Sequence, residues 1–209
     1  MRRLIAALAC AGCGAHAVRE VPRDPAAMAA RVVADFERAT RTSRDAYLAL
    51  FDFDKVGVYE ILLRRLVLVR FGDNLDPDER ARYQADDGTP YPAARERKNV
   101  GTIFFDLLAR RTVGTGGCAV VPTSPWNQAL LAPVPPLPAD SAAWEPLRAQ
   151  VNPWLARGGV VDLRCAGGEG TLTLAWTTAD TPRGYALITM YDDVGDPAQA
   201  PATDDPCAE

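Results

Sequence analysis

The chain has 209 residues, of which 23 are Lys or Arg and 27 are Asp or Glu, so its formal net charge at neutral pH is −4. This length suits one domain with a sizeable core. The charges are dispersed without a long run of either sign, which argues against nucleic acid as a partner, because phosphate binding needs a concentrated basic face.

The first residues have the order of an export signal, a short basic region followed by an apolar stretch. Arg2 and Arg3 form the basic region, and the apolar stretch starts at Leu4. It ends in small residues followed by Cys13. The segment 10–13, Cys-Ala-Gly-Cys, resembles the lipobox of bacterial lipoprotein precursors. That resemblance implies cleavage before Cys13 and attachment of a lipid to its thiol.

Two alternatives to this leader remain open, cleavage before Cys10 and an ordinary secretory leader without lipid. Cleavage before Cys10 leaves an apolar region shorter than the roughly seven residues of most export signals. We therefore expect an exported protein whose partner is a membrane, anchored through Cys13 in the periplasm or at the cell surface. Gly14 favours the outer membrane, because an aspartate there is associated with inner-membrane retention. No later stretch approaches the ~20 apolar residues that a membrane span needs.

The leader (1–12) and a tether (13–23) precede a single expected domain at 24–193. The tail, 194–209, is rich in Pro, Ala and Asp, a composition typical of disorder.

Helix starts in the first part of the domain are indicated by capping residues. Asp24 before Pro25 is typical of an N-cap followed by the first helical position. Asp76 is expected to cap a later helix, with Glu79 reaching back in a capping box. A broken helix is expected over 141–157, interrupted by its prolines.

Two further helices are predicted from apolar spacing. One runs from Lys55, with Asp54 as its N-cap, to Gly72 in the left-handed conformation. In this helix Glu60 lies four residues before Arg64, which predicts an ordinary ion pair. The other matches the i, i+3, i+4, i+7, i+8 template through the following residues: Val100, Ile103, Phe104, Leu107 and Leu108.

The last third of the domain has the alternation and turn residues of strands. Strands are predicted at 118–121, 160–165, 171–178 and 185–191. Tight connections between the last three indicate an antiparallel meander. Helices followed by strands predict an α+β fold, with N-terminal helices packed on one face of a C-terminal antiparallel sheet of three to four strands.

Histidine chemistry is absent from the predicted domain, because the single histidine, His16, lies in the tether. This argues against Ser-His-Asp and Cys-His catalysis and against histidine-based metal sites. We expect no cofactor and no metal. Asp52 and Asp54 are the candidate pair for carboxylate chemistry, and N-capping by Asp54 is the alternative.

Three cysteines follow the leader, Cys118, Cys165 and Cys207. Export would place them where disulfides form. Two of them lie in predicted strands, so we predict a Cys118–Cys165 bridge and a free Cys207. The odd count leaves open that Cys207 replaces either partner.

The chain is predicted to have helices followed by an antiparallel sheet, with residues 185–193 forming the end of its last strand. This arrangement resembles NTF2-like domains. The segment 47–57, with Phe-Asp-Phe at its centre, is similar to envelope phospholipid carriers of the MlaC type. Either resemblance implies an apolar cavity between helices and sheet that accepts a hydrophobic ligand or a partner peptide. The candidate lining residues, for each of which plain core is the alternative, are Phe36, Tyr59, Phe104 and Trp176.

Three functions are consistent with these patterns. The first is a non-catalytic, lipid-anchored envelope module that binds an apolar ligand or another envelope protein. The second is a structural or assembly-support lipoprotein with a filled core, and cavity volume separates it from the first. The third is a histidine-free enzyme, which would require Asp52 and Asp54 to converge in a cleft with raised pKa values.

Overall fold

The computed structural model describes residues 24–114, 116–130, 132–166 and 170–192. The predicted leader and tether, including Cys10 and Cys13, lie outside the described residues, as do Cys207 and the tail. The lipid anchor and the fate of Cys207 therefore stay predictions.

Helices dominate the first part of the described chain. In order they are α1 (Pro25–Thr42), α2 (Arg44–Leu48), α3 (Phe53–Phe71), α4 (Pro77–Gln84), α5 (Ala93–Asn99), a π-helix (Val100–Ala109), α6 (Arg110–Val113), α7 (Pro125–Leu130) and α8 (Glu145–Leu155). Short 3₁₀ helices span Gly72–Asn74 and Ala139–Trp144.

Four strands form one antiparallel sheet in the order β1-β2-β3-β4. Their bounds are β1 (Cys118–Val121), β2 (Gly159–Cys165), β3 (Leu172–Thr178) and β4 (Tyr185–Asp192). The predicted α+β class and the predicted meander are confirmed.

The sheet is covered on both faces, whereas the sequence predicted helices on one face only. Phe36 of α1 and Leu174 belong to the core on one face, which also includes α2 and the π-helix. Tyr59 of α3 and Ile188 belong to the core on the other face, together with α8. Residues 172–177 of β3 are consequently all buried. A strand that is covered on both faces has a nearly continuous apolar sequence, so the alternation that would distinguish its two faces is missing.

Two helix starts follow the predicted capping. Asp24 accepts a hydrogen bond from the backbone of α1, whose first residue is Pro25. Asp76 accepts from two backbone N–H groups of α4. The capping box differs from the prediction, because the carboxylate of Glu79 accepts from the hydroxyl of Tyr83 at 2.8 Å instead.

Both predicted ends of α3 need correction. Asp52, rather than Asp54, is the N-cap, and it accepts from the backbone N–H of Lys55 at 3.2 Å while pairing with the Lys55 ammonium. Gly72 has a right-handed φ of −53° rather than a left-handed one. The chain does not reverse at Gly72 because it continues into the 3₁₀ helix 72–74.

The broken helix is also simpler than predicted. Pro146 lies in the first turn of α8, where its missing N–H costs nothing, and Pro153 lies inside the helix without ending it. Asn152 contributes to order here by bonding both backbone groups of Val134, at 2.7 and 3.0 Å. The proline-rich connector 133–138 is thereby held against α8.

The predicted disulfide is confirmed. Cys118 and Cys165 are directly opposite in the β1–β2 register and are bonded across 47 residues of chain. The bridge links the short edge strand β1 to its neighbour β2.

We expect removal of this bridge, by the double change Cys118→Ala and Cys165→Ala, to lower the free energy of unfolding by about 2–4 kcal/mol, because the unfolded chain regains loop entropy. Urea denaturation of oxidised protein measures the loss. Cys207→Ala is the control and should leave the unfolding curve unchanged. Non-reducing peptide mapping that found Cys165 joined to Cys207 would contradict the assignment.

Candidate functional site

A cavity of about 460 Å³ lies among α3, α4, α5, the π-helix and β4. This volume is within the range of small-molecule sites. Its apolar lining residues are Val56, Leu63, Val67, Phe71, Leu75, Val100, Ile103, Phe104 and Met190. Its polar lining residues are Glu60, Arg64, Asn74, Glu79, Tyr83, Tyr91, Arg95, Glu96, Asn99, Thr189 and Tyr191. The cavity is therefore amphipathic.

Helix α3 contributes to the cavity because it carries two apolar stripes. Tyr59 and Leu62 are fully buried in the core beneath the sheet. Val56, Leu63 and Val67 belong to a second stripe that lines the cavity. A helix with apolar residues on two faces needs cover on both, and the second apolar stripe of α3 was the available sequence signal for a second covered face.

The π-helix supplies another wall, and its burial follows the predicted template only in part. Val100 is buried as predicted and Phe104 packs against the core, but Ile103 is 50% exposed. Phe105 and Ala109, which the template leaves out, are buried. The five-residue step from Val100 to Phe105 fits the wider i→i+5 turn, which a template of 3.6 residues per turn does not anticipate. Ile103 and Phe104 line the cavity as a result.

Arg64 is the centre of the charged cluster beside this wall. Its guanidinium lies 3.5 Å from the carboxylate of Glu60, which is the predicted helix pair, and 3.8 Å from that of Asp86. The same guanidinium lies 5.2 Å from the ring centroids of both Tyr83 and Tyr91. Its charge is thus already shared among two carboxylates and two ring faces.

A second pair lies next to it on α5. Arg95 stacks 3.6 Å from the ring centroid of Tyr91, and its Nε lies 3.5 Å from Oε1 of Glu96. Glu96 is only 5% exposed. Among the described residues, no donor is within hydrogen-bond geometry of Glu96 Oε1 or of Asp86 Oδ2. The other oxygen of Asp86 accepts from the Tyr91 hydroxyl at 3.0 Å.

Both glutamates of this cluster have raised pKa values. Burial raises the pKa of Glu96, the negative charge of Glu60 raises it further, and Arg95 offsets part of the effect. Burial also raises the pKa of Glu60, against the lowering effect of Arg64. The ionised carboxylates are therefore penalised where they lie, and a compensating positive group would relieve that penalty.

One of the four predicted lining residues lines the cavity, and the other three belong to the core. Phe104 lines the cavity. Phe36 and Tyr59 are fully buried core residues, and Trp176 is 5% exposed within the core. Phe36 and Tyr59 pack against the sheet and Trp176 belongs to its strand β3, so for these three residues the core interpretation is correct.

The predicted carboxylate pair does not form a cleft. Asp52 caps α3 and pairs with Lys55, Asp54 is exposed, and neither lines the cavity. Glu60 and Glu96, which the cavity brings together, are 36 positions apart in the numbering. Sequence reasoning found Glu60 only as the partner of Arg64 and did not find Glu96.

A separate buried polar network adjoins the cavity. Asp162 of β2 accepts from the side chains of Asn127 and Thr173 and from the backbone N–H of Ser124, at 2.8–3.1 Å. Tyr191, which also lines the cavity, donates to Asn127 at 2.9 Å. Because Asp162 is so fully bonded, we interpret this network as an anchor for α7 and for the cavity's β4 wall.

Comparisons with protein-family models, with curated protein sequences and with solved structures found no match to this chain. In the described ranges, no cluster of metal-ligating side chains occurs and no helix is both long and apolar enough to cross a membrane. The fold and site thus define a class only, an α+β domain with an amphipathic cavity between its helices and the last strand.

Gly57 tests the close packing beside the cavity. A Cβ at this position would lie 2.1 Å from the carbonyl oxygen of Tyr91. Alanine normally stabilises a helix by about 1 kcal/mol relative to glycine, yet we expect Gly57→Ala to destabilise the protein by roughly 1–3 kcal/mol because the Tyr91 segment must shift. Urea denaturation measures the sign. Gly72→Ala, whose nearest contact would be 3.4 Å away, is the control and should cost little.

Glu96→Gln tests the electrostatic penalty. A folded-state pKa raised above the ordinary value of 4.5 means that stability is full below that pH and is lost as pH rises through the folded pKa. We therefore expect the variant to be more stable than the natural protein at pH 7 and to lose this advantage at pH 4. Denaturant unfolding at both pH values measures it. A variant that is less stable at pH 7 would show that the Arg95 ion pair outweighs burial.

Proposed function

We propose that this chain is a non-catalytic binding protein for a small amphipathic molecule, held in the cavity among α3, α4, α5, the π-helix and β4. The observation that carries the proposal is the cavity itself, about 460 Å³ in a domain whose two other apolar clusters are closely packed. A concave space of this size with both apolar and polar lining is typical of small-molecule sites, and a purely structural role does not require one.

The composition of the lining supports an amphipathic ligand rather than a purely apolar one. Apolar side chains of α3 and the π-helix provide surface for a hydrocarbon portion, while the buried Glu96 and the half-buried Glu60 and Arg64 line the same space. Buried charged groups need polar partners. A ligand with a polar head and an apolar chain satisfies both requirements.

The N-terminal pattern supports a setting for this activity in the cell envelope. A lipid on Cys13 would hold the domain near a membrane, where amphipathic molecules are concentrated. We propose this location together with the binding function.

One observation favours a second function, a histidine-free carboxylate enzyme. Glu60 and Glu96 face one cavity with raised pKa values, as general acids require. This pair replaces Asp52 and Asp54 as the candidate, and product accumulation rather than stoichiometric binding would distinguish it.

Ile103→Trp tests the binding proposal by reducing the cavity. Ile103 is 50% exposed and lines the cavity, so the larger side chain narrows it without disturbing the core. We expect at least roughly tenfold weaker binding of N-phenylnaphthylamine, an apolar fluorescent probe, from the loss of buried contact area. Native mass spectrometry of protein purified from membranes should likewise lose a co-purifying small molecule.

Val120→Trp is the matched control. Val120 is 55% exposed on β1 and is not among the lining residues, so this variant adds the same side chain elsewhere. It should bind the probe like the natural protein. Equal probe binding by both variants, or no binding by the natural protein, would overturn the proposal.

A further inference from the structure

The charges that surround the cavity are unbalanced. Its lining includes three glutamates, at 60, 79 and 96, and two arginines, at 64 and 95. Asp86 adds a fourth carboxylate in contact with Arg64. Carboxylates are therefore in excess over guanidinium groups.

Both arginines already contact groups of the protein, although Nε of Arg64, 3.5 Å from Glu60, has no partner within hydrogen-bond geometry among the described residues. Arg64 is placed between Glu60 and Asp86 and against two tyrosine rings. Arg95 is stacked on Tyr91 and faces Glu96. An anionic head group would have to displace these contacts and would then lie close to the remaining carboxylates.

The carboxylates outnumber the guanidinium groups, and they have capacity for further donors. Glu96 Oε1 is buried without a hydrogen-bond partner, 3.5 Å from Arg95 Nε, and the side chain of Asn99 also bonds the Glu96 carboxylate. Asp86 Oδ2 is also buried and lies 3.8 Å from Arg64. Neither oxygen receives a hydrogen bond from the described residues, and because Glu96 lines the cavity, its oxygen can accept one from a ligand.

We propose that the polar head of the ligand is a primary ammonium group, so that the cavity takes a single-chain alkyl amine with Glu96 as the main acceptor of its N–H groups. This inference rests on the proposed function and specifies the ligand class. An ammonium group offers three donors from one compact charge, which suits buried acceptors that lack partners.

A quaternary ammonium group lacks the donors that the unpartnered oxygen of Glu96 would accept. A trimethylammonium head has no N–H donor and is usually held on an aromatic face. The face of Tyr91 is already covered by Arg95, at 3.6 Å from the ring centroid. The site should therefore distinguish a primary amine from its trimethylated analogue.

Binding of an amine should depend on pH through the carboxylates. The titratable and charged groups that surround Glu96 in the cavity are Glu60 and Arg64 of α3, Glu79 and Tyr83 of α4, Asp86 and Tyr91 of the following loop, Arg95 of α5 and Tyr191 of β4. Burial raises the pKa of Glu96 in the free protein. A bound cation would lower it again, so binding should release protons and weaken as the pH falls through the raised pKa.

Isothermal titration of the full-length protein with decylamine, decanoate and decyltrimethylammonium, each below its micellar concentration, tests the head group. We expect decylamine to bind at one site per chain and roughly tenfold or more tighter than the other two, as expected for charge-assisted hydrogen bonds. Titration in two buffers of different ionisation enthalpy should show proton release that increases as the pH is lowered toward the raised pKa of Glu96.

Glu96→Gln is the diagnostic variant. It should weaken decylamine binding by about tenfold and reduce proton release. It should leave decanoate binding unchanged or stronger. Asp73→Asn is the control, because it removes the same charge from a fully exposed side chain outside the lining and should not change either affinity. Unfolding curves of each variant establish that any loss of binding is not a loss of fold.

The outcomes separate the two proposals. Decanoate or decyltrimethylammonium binding as tightly as decylamine would overturn the ammonium assignment and leave the binding function intact. The absence of binding by all three compounds, together with no binding of the apolar probe, would overturn both. An unchanged decylamine affinity in a folded Glu96→Gln variant would remove Glu96 from the site.

Discussion

Helix α3 has apolar side chains on two faces, and much of the molecule is arranged to cover both. One face, with Tyr59, Leu62 and Leu66, packs beneath the sheet together with α8. Burial of each such side chain contributes about 1.5–3 kcal/mol. The other face, with Leu63 and Val67, is covered by α4, α5 and the π-helix, and these elements do not close on it completely. The cavity is the space left between this second face of α3 and the elements that cover it.

The charged residues beside that space work against stability. Glu96 and Glu60 both have pKa values raised by burial, so the folded protein carries an electrostatic penalty at neutral pH. Buried charged groups that destabilise the fold are common at binding and catalytic sites. A ligand can supply the polar contacts that such groups lack in the free protein. In the polar network that adjoins the cavity, Asp162 and Asn127 are bonded to each other and to their neighbours, so this network supports the cavity wall and does not offer a ligand site.

Much of the fold could be predicted from the sequence because its signals are local. Asp24 before Pro25 and Asp76 before Pro77 each start a helix by accepting backbone hydrogen bonds within a few residues. The meander depends on alternation and short turns, and pairing of adjacent strands then brought Cys118 opposite its partner. The N-cap of α3 was harder to predict, because Asp52 and Asp54 both lie where that helix could start.

What the sequence determined by itself was the order and kind of the elements, because hydrogen bonding along the chain and apolar periodicity are written in neighbouring residues. The tertiary structure decided which apolar residues meet which partner. It alone decided between core and cavity for Phe36 and Trp176, turned Ile103 of the π-helix toward the cavity, and brought Glu96 beside Glu60. Those outcomes depend on the packing of elements far apart in the chain, and no local pattern of residues encodes the space left between them.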